Sequence, residues 1–298
     1  MQQRGTLFVV LCALFLAACD PDYVIVSVQS DPSLPPSAIG ARGALPPDSE
    51  GHGRFIGVVR IGNIDYFGDA LVTDDGRMRL YVGGPYATSD SLQVTRANGP
   101  MQFVGTIDQR NGGMFGSGVI LVEGCGFGVD CSTPISAELN IAPIKTEMRG
   151  EIRLLGPRES DEIWSIDMAK WDDYYARAAA IPSMAGQYEE LISELSERTR
   201  TLIRIDNKGQ LSFEDAQTGC SGRGTMTPHS SGEFNVYDVE IHVEACDSLQ
   251  AFTNGDWVGL AAESASSVSN SDSLLRIWLS THAEIGTPAA VTLLARRW

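Results

Sequence analysis

Short strand-like segments separated by glycine-containing turns recur along this chain of 298 residues, and they limit its fold more than any other feature. Regular short strands without a long helix between them predict an antiparallel sandwich or a small barrel. Asp74-Asp75-Gly76 predicts a hairpin turn, because glycine tolerates the positive φ that such turns need. The strands predicted between residues 53 and 157 are Phe55–Ile61, Tyr66–Thr73, Met78–Gly83, Leu92–Thr95, Gln102–Asp108, Phe115–Val122, Ala137–Ile144 and Met148–Leu155.

The last third of the chain, residues 183–298, returns to the same pattern. Asn207-Lys208-Gly209 predicts another hairpin turn. The stretch from Tyr188 to Leu195 fits either a strand or a helix. The strands predicted here are Thr201–Asp206, Gln210–Glu214, Gly222–Thr227, Asn235–Val243, Trp257–Glu263, Leu274–Ser280 and Ala289–Ala295.

Short fragments are shared between the two strand-rich regions. Gly105-Thr106-Ile107 resembles Gly224-Thr225-Met226, and Val122-Glu123-Gly124-Cys125 resembles Val243-Glu244-Ala245-Cys246. An ancient duplication explains this similarity, and so does chance, since strand-rich sequences often share such fragments.

A different pattern separates the two regions. Ser160 is suited to cap a helix, and Pro182 ends the segment. Apolar residues at steps of three and four predict one helical stripe: Trp164, Met168, Trp171, Tyr175 and Ala178. We expect this helix to dock on its own barrel, and a partner-binding helix is the alternative. The predicted fold is therefore all-β, with two small antiparallel β-barrel or sandwich domains (53–157 and 183–298) joined by a helical connector (158–182).

The N-terminus carries an export signal. Arg4 precedes an apolar run and small residues, a pattern typical of a signal peptide over residues 1–18 and too short for a spanning helix. Leu16-Ala17-Ala18-Cys19 resembles the lipobox of bacterial lipoproteins. The resemblance implies cleavage before Cys19 and acylation of that cysteine, which anchors the chain in a lipid bilayer. A plain secretory signal with a chance cysteine is the alternative.

The segment that follows, residues 19–52, is rich in proline and has little to bury, so it predicts a tether between the membrane and the folded body. Lys and Arg number 22 against 38 Asp and Glu, which gives a net charge of -16. That balance argues against nucleic acid as a partner, because nucleic-acid binding depends on cationic side chains. Whether the inner or the outer membrane holds the protein stays open.

Cysteine usage fits an exported protein. Six cysteines are present, of which Cys12 leaves with the signal peptide and Cys19 carries lipid. The remaining four allow three disulfide pairings in an oxidising compartment. We predict Cys125–Cys131 and Cys220–Cys246, because each pair stays within one predicted domain. A zinc site is disfavoured, since neither a CxxC motif nor paired histidines accompany these cysteines.

A second resemblance concerns the last domain. The pattern Thr218-Gly219-Cys220-Ser221-Gly222, then Asn235-Val236-Tyr237, then Cys246 before Gly259-Leu260, is similar to one that recurs in bacterial envelope lipoproteins. It covers about a third of the chain. The resemblance implies a disulfide-pinned β domain outside the cytoplasm, and it implies no activity.

Side chains suited to chemistry are scattered along the sequence. His229 lies in a predicted turn and His242 on a strand, and neither belongs to an HExxH motif. The acidic groups are Asp69, Asp74 and Asp75 in the first domain and Asp206, Glu214 and Asp215 in the second. Turn chemistry already favours Asp at several of these positions. We therefore predict no catalytic residue, no metal ligand and no cofactor.

These patterns favour a membrane-anchored envelope lipoprotein that is not an enzyme and that binds a protein or another envelope component. A lipocalin-like carrier of a small apolar ligand is the first alternative, because an eight-stranded barrel holds such a ligand when its interior is open. A hydrolase with a dispersed carboxylate or serine site is the second.

Overall fold

A computed structural model describes residues 51–85, 100–110, 113–122, 135–144, 146–155, 162–171, 175–190, 201–216, 219–230, 232–246, 254–265, 273–281 and 289–297. Within these ranges the chain forms strands β1 to β16 and one helical turn. No helix in the described ranges has the length and apolar character that crossing a bilayer requires.

The first eight strands close into a barrel. Each pairs antiparallel with the next, and β1 pairs with β8. The strands are β1 (Gly53–Ile61), β2 (Ile64–Val72), β3 (Arg77–Pro85), β4 (Met101–Arg110), β5 (Gly113–Val122), β6 (Ile135–Ile144), β7 (Glu147–Leu155) and β8 (Ile163–Lys170). The predicted strand at Leu92–Thr95 lies outside the described residues.

The other eight strands form a second closed barrel of the same up-and-down kind, in which β9 pairs with both β10 and β16. These elements are α1 (Ile181–Met184), β9 (Gly186–Glu190), β10 (Thr201–Ile205), β11 (Gln210–Asp215), β12 (Ser221–Pro228), β13 (Val236–Glu244), β14 (Gly255–Ala265), β15 (Ser273–Thr281) and β16 (Ala290–Arg297). The all-β prediction with two antiparallel barrels is thus confirmed.

The helix predicted from the apolar stripe is wrong over Ile163–Lys170, which forms strand β8. Burial alternates along β8, and Trp164, Ile166 and Met168 all enter the first core. A step of four residues fits one face of a helix and also one face of a strand, so Trp164 and Met168 suit both. Ile166 distinguishes them, because only a strand places it on the same side. Between the barrels the described helical residues are Tyr175 and the turn α1, so the helical connector is minor.

Side chains fill the interior of the first barrel. The inward residues Phe55, Val59, Phe103 and Met148 are almost fully buried in one apolar cluster. Phe103 occupies room left by glycine, since a Cβ built on Gly118 would lie 2.7 Å from the Phe103 ring. Interiors of this kind are close-packed, and eight-stranded barrels are just wide enough for side chains to fill them.

Both predicted hairpin turns are confirmed. Gly76 and Gly209 have φ angles of 82° and 80°, in the region that favours glycine. Each turn also accepts a hydrogen bond from the fourth strand of its barrel. The Ile107 amide donates to the Gly76 carbonyl at 2.7 Å, and the Met226 amide donates to the Gly209 carbonyl at 2.8 Å. The shared fragments that contain Gly105 and Gly224 thus lie on the fourth strand of each barrel.

Candidate functional site

The two barrels dock side by side, and charged residues are buried where they meet. Asp69 on β2 is fully buried, and its carboxylate accepts two hydrogen bonds from Arg54, at 3.0 and 2.7 Å. Arg276 of the second barrel lies 2.8 Å from the same carboxylate, as an ion pair without hydrogen-bond alignment. Burial raises the pKa of Asp69, but Arg276 and Arg54 outweigh burial and hold the pKa below its usual range.

Apolar and aromatic side chains surround this ion pair. Leu71 of the first barrel packs in one buried cluster with Leu260 and Trp278 of the second. The Arg54 guanidinium lies 6.0 Å from the centre of the Trp278 ring, a cation–π distance. A second cluster joins Val104 to Ala290 across the same interface. The barrels are therefore held together by apolar packing and buried charge.

A second charged group lies at the edge of this interface, and we name it the turn cluster. It consists of Asp74, Asp75 and Arg77 from the β2–β3 hairpin, of His229 from the β12–β13 connection and of Asp238 from β13. The His229 Nε2 atom lies 3.3 Å from Asp74 Oδ1 and 3.3 Å from Asp75 Oδ1. On the other side of the ring, Nδ1 lies 3.0 Å from Asp238 Oδ2.

Local hydrogen bonds fix the hairpin side of the turn cluster. The Arg77 amide donates to Thr73 Oγ1 at 2.9 Å, and the Thr73 hydroxyl hydrogen-bonds Asp75. Arg77 Nε donates to Asp75 Oδ2 at 3.0 Å, and its Nη2 atom forms an ion pair with Asp238 at 2.8 Å. The cluster is therefore ordered by backbone turn geometry as well as by charge.

The backbone of the second barrel places His229. Its amide donates to the Val236 carbonyl at 2.9 Å, and its carbonyl accepts from the Gly232 amide at 2.9 Å. Ser230 follows with a φ of 47°, in the left-handed region that non-glycine residues seldom adopt. These bonds turn the imidazole inward, and only 4% of its side chain is exposed.

The charges of the turn cluster act on the titration of His229. Burial lowers the pKa of the imidazole. Hydrogen bonds to Asp238 and Asp75 outweigh burial and raise the pKa to about 9. Burial raises the pKa of the Asp238 carboxyl, and the neighbouring His229 and Arg77 bring it below its usual range. The imidazole is thus a cation at neutral pH in the structure as it stands.

Ser230, His229 and Asp238 also have the connectivity of a serine hydrolase triad. Ser230 Oγ lies 3.0 Å from His229 Nε2, and Asp238 contacts Nδ1. The base of such a triad takes a proton from serine, which requires a neutral imidazole. A pKa of about 9 for His229 keeps the imidazole protonated at neutral pH. The Asp74 and Asp75 carboxylates beside Nε2 favour this protonated ring, so their charge does not favour acyl transfer here.

The outer face of the second barrel carries an open groove of about 750 Å³, which we name the outer groove. Its polar lining comes from four neighbouring strands, β9 to β12, and from the β10–β11 turn: Gln187, Arg204, Asp206, Gln210, Ser212, Arg223 and Thr225. Arg204 pairs in register with Ser212, and Ser212 pairs with Arg223. Because adjacent strands lie about 4.8 Å apart, the two arginines flank the serine with Cα atoms about 10 Å apart.

The arginines of the outer groove stand out against the acidity of the chain, whose net charge is -16. Arg204 forms an exposed ion pair with Glu214 at 3.3 Å, which water screens. Arg223 lies opposite His242 on β13. A guanidinium suits carboxylate or phosphate, so the groove can hold an anionic group.

The predicted disulfide Cys220–Cys246 is confirmed. It joins the start of β12 to the end of β13, beside the register pair Ser221 and Glu244. Three predicted site residues, Cys19, Cys125 and Cys131, lie outside the described residues, so their acylation and pairing stay predictions.

The structure also places the other residues considered from sequence. His242 lies on strand β13, as predicted; its side chain is exposed and lies 2.6 Å from Asp256. Asp206 accepts hydrogen bonds from the Lys208 and Gln210 amides, both at 2.8 Å, which is the turn role expected of it. His52, expected in the tether, instead contacts Tyr175 at 3.2 Å. His282 lies outside the described residues.

Sequence reasoning missed the turn cluster as a unit. Arg77 and His229 are separated by 152 residues, and nothing in either local sequence links them. Asp74 and Asp75 were explained by hairpin chemistry, which is correct for the backbone but does not account for His229 beside them. Only the docking of the two barrels brings the two turns together.

Two docked, closed, eight-stranded antiparallel barrels define the class of this protein. No family model matches the chain, and no curated protein matches it. Among solved structures, one similar chain is from Bacteroides fragilis and is provisionally assigned as an outer membrane protein. The two sequences are 10% identical, the TM-score is 0.24, and the alignment covers 83% of this chain and 96% of that one. Another is transferrin-binding protein B of Haemophilus parasuis, 7% identical, with a TM-score of 0.26, covering 79% and 66%. At these identities neither chain transfers the role of any residue to this one.

Proposed function

We propose that the protein is a lipid-anchored component of the bacterial cell envelope that binds an anionic group of a protein or another envelope component, without catalysis. The outer groove carries this proposal, because it places Arg204 and Arg223 on either side of Ser212 on the surface of an acidic protein. Paired guanidinium groups bind carboxylate or phosphate with directional hydrogen bonds.

The packed interiors favour surface binding over the carrier alternative. A lipocalin-like carrier needs an open interior, whereas the inward residues of both barrels form buried clusters with large side chains. Trp257, Tyr188 and Phe213 are almost fully buried in the second cluster. A ligand of this protein therefore contacts the outside of the barrels.

The anchor part of the proposal rests on the lipobox-like segment that ends at Cys19. The proline-rich residues 20–50 would give the folded body a reach on the order of 30 Å from the bilayer, facing the periplasm or the cell surface. Cys19→Ala should release the protein from membranes in fractionated cells and abolish incorporation of labelled palmitate. A variant that still sediments with membranes and takes up label would contradict the anchor.

The binding part is tested by crosslinking in cells. A photoreactive amino acid at position 212, between the two arginines, should capture a partner, and the same probe at Ser165 on the exposed face of β8 should not. Arg204→Gln combined with Arg223→Gln should reduce the captured amount at least tenfold. Arg149→Gln is the matched control, because Arg149 is an exposed, ion-paired arginine on the first barrel.

The two arms of this test are independent. If capture at position 212 persists after both arginines are replaced, the groove binds a partner through other contacts. The proposal of an anionic ligand would then be wrong. Equal capture at positions 212 and 165 would show that the outer groove is not a preferred surface, which would overturn the proposed binding site.

A further inference from the structure

We propose that the turn cluster is a binding site for a divalent first-row transition metal ion, with Asp74, Asp75 and His229 as the protein ligands. The site is separate from the outer groove and from the N-terminal segment, and it uses residues from both barrels. It therefore stands or falls independently of the proposed anionic ligand.

The distances fit a metal centre. One ligand atom from each of the three residues lies within 4.8 Å of the others. His229 Nε2 is 3.3 Å from each of the two aspartate oxygens. Ligand atoms about 2.0–2.1 Å from a tetrahedral ion lie about 3.3 Å from one another, so both histidine–aspartate distances match the spacing of such a site. Ser230 Oγ, 3.0 Å from Nε2, is near enough to serve as a fourth ligand.

The surroundings of His229 match those of metal-binding histidines. Asp238 lies 3.0 Å from Nδ1, the ring atom that faces away from the two aspartates. A carboxylate in this position fixes the tautomer and leaves Nε2 to bind the ion. Arg77 Nε donates to Asp75 Oδ2 at 3.0 Å, and its Nη2 atom contacts the same ring, 3.3 Å from Nε2. Asp75 Oδ1 accepts from the Thr73 hydroxyl and the Arg77 amide and lies 3.3 Å from His229 Nε2.

Charge balance also favours a divalent ion. Three carboxylates (Asp74, Asp75 and Asp238) and one guanidinium (Arg77) give a formal charge of -3 + 1 = -2 around the ring. A divalent cation neutralises that charge. Metal binding at Nε2 requires an unprotonated nitrogen, so affinity falls as the pH is lowered.

Access and donor type narrow the choice of ion. The side chains of Asp74 and Asp75 are 29% and 39% exposed, so an ion can reach them from solvent, while His229 supplies a buried nitrogen. Two carboxylate oxygens and one imidazole suit zinc, manganese or ferrous iron. Calcium binds through oxygen ligands and is not favoured by the histidine.

Metal binding is tested with the full chain, purified in detergent and treated with EDTA. After dialysis against zinc or manganese, elemental analysis should find one bound ion per chain, and calcium should not compete at equal concentration. Asp74→Asn and His229→Gln should each weaken the affinity at least tenfold. Asp238→Asn should weaken it by about 10–100-fold, as is typical for partners of a ligating histidine.

His242→Gln is the matched control, because His242 and Asp256 form an exposed histidine–carboxylate pair on the same barrel. This variant should bind the ion like the unmodified chain. Loss of ion binding in His242→Gln would overturn the proposed site. Unchanged ion binding in both Asp74→Asn and His229→Gln would also overturn it.

A spectroscopic measurement separates ligation from an effect on folding. Manganese bound to the unmodified chain should show nitrogen coupling from one imidazole in pulsed electron paramagnetic resonance, and the coupling should be absent in His229→Gln. If His229→Gln does not fold, Asp74→Asn decides the question, since Asp74 is partly exposed and remote from the barrel cores. An unmodified chain without bound ion, or with bound manganese that lacks nitrogen coupling, would refute the proposal.

Discussion

At the scale of single residues, burial decides which ion pairs matter. β1 and β2 carry two arginine–aspartate pairs of similar geometry, Arg54–Asp69 at 2.7 Å and Arg60–Asp65 at 2.6 Å. The first pair is almost fully buried between the barrels, while the second is more than 40% exposed on both sides. Exposed pairs contribute little to stability, whereas removal of one partner from a buried pair leaves an uncompensated charge.

This contrast gives a matched prediction. Asp69→Asn should lower the free energy of unfolding by about 3–5 kcal/mol, because Arg54 and Arg276 would remain buried without their carboxylate. Asp65→Asn should leave the urea midpoint unchanged within error, since its guanidinium partner is exposed to water. Equal effects of the two substitutions would contradict the role given to burial.

The same residue predicts a dependence on pH. The pKa of Asp69 is lowered in the folded chain, so its contribution to stability is fully present above the unfolded pKa of about 3.9. It is lost as the pH falls through the lower, folded pKa. Urea midpoints between about pH 2 and 6 should therefore fall more steeply with acid in the unmodified chain than in Asp69→Asn. Parallel curves would show that another carboxyl dominates.

At the scale of strands and turns, inward-facing glycines make room for large side chains. A Cβ built on Gly118 would lie 2.7 Å from both Gly105 Cα and the Phe103 ring, closer than real Cβ contacts allow. Gly118→Ala should therefore destabilise the first barrel by about 1–3 kcal/mol through overpacking. Ser117→Ala, on the outer face of the same strand, should change the thermal midpoint little. Tolerance of Gly118→Ala would mean that β4 and β5 can separate at this point.

The sequence predicts most of these elements because their burial alternates with a period of two, as in β7, and their turns contain glycine. It mispredicts β8, since Trp164 and Met168 satisfy both periods. It does not predict the turn cluster, because His229 and Asp74 meet only after the barrels have closed and docked. Local patterns therefore specify each barrel, while the candidate site depends on contacts between barrels.

At the scale of the whole molecule, the question is whether two closed barrels act as one body. Domains joined by small or polar interfaces usually move relative to each other. Here the interface combines two apolar clusters with Asp69, which is shared by arginines from both barrels. We therefore expect the barrels to unfold together as one cooperative unit.

Ala290 offers the sharpest test of this coupling. It is buried between the barrels against Val104, Val119 and Leu121, so a long charged side chain there has no room and no partner among the described residues of that cluster. Ala290→Arg should split the single calorimetric transition into two and increase the radius of gyration in solution scattering. Ala169→Arg, on the exposed face of β8, should do neither. One unchanged transition in Ala290→Arg would mean that the barrels are coupled elsewhere, and two transitions in the unmodified chain would mean that they fold independently.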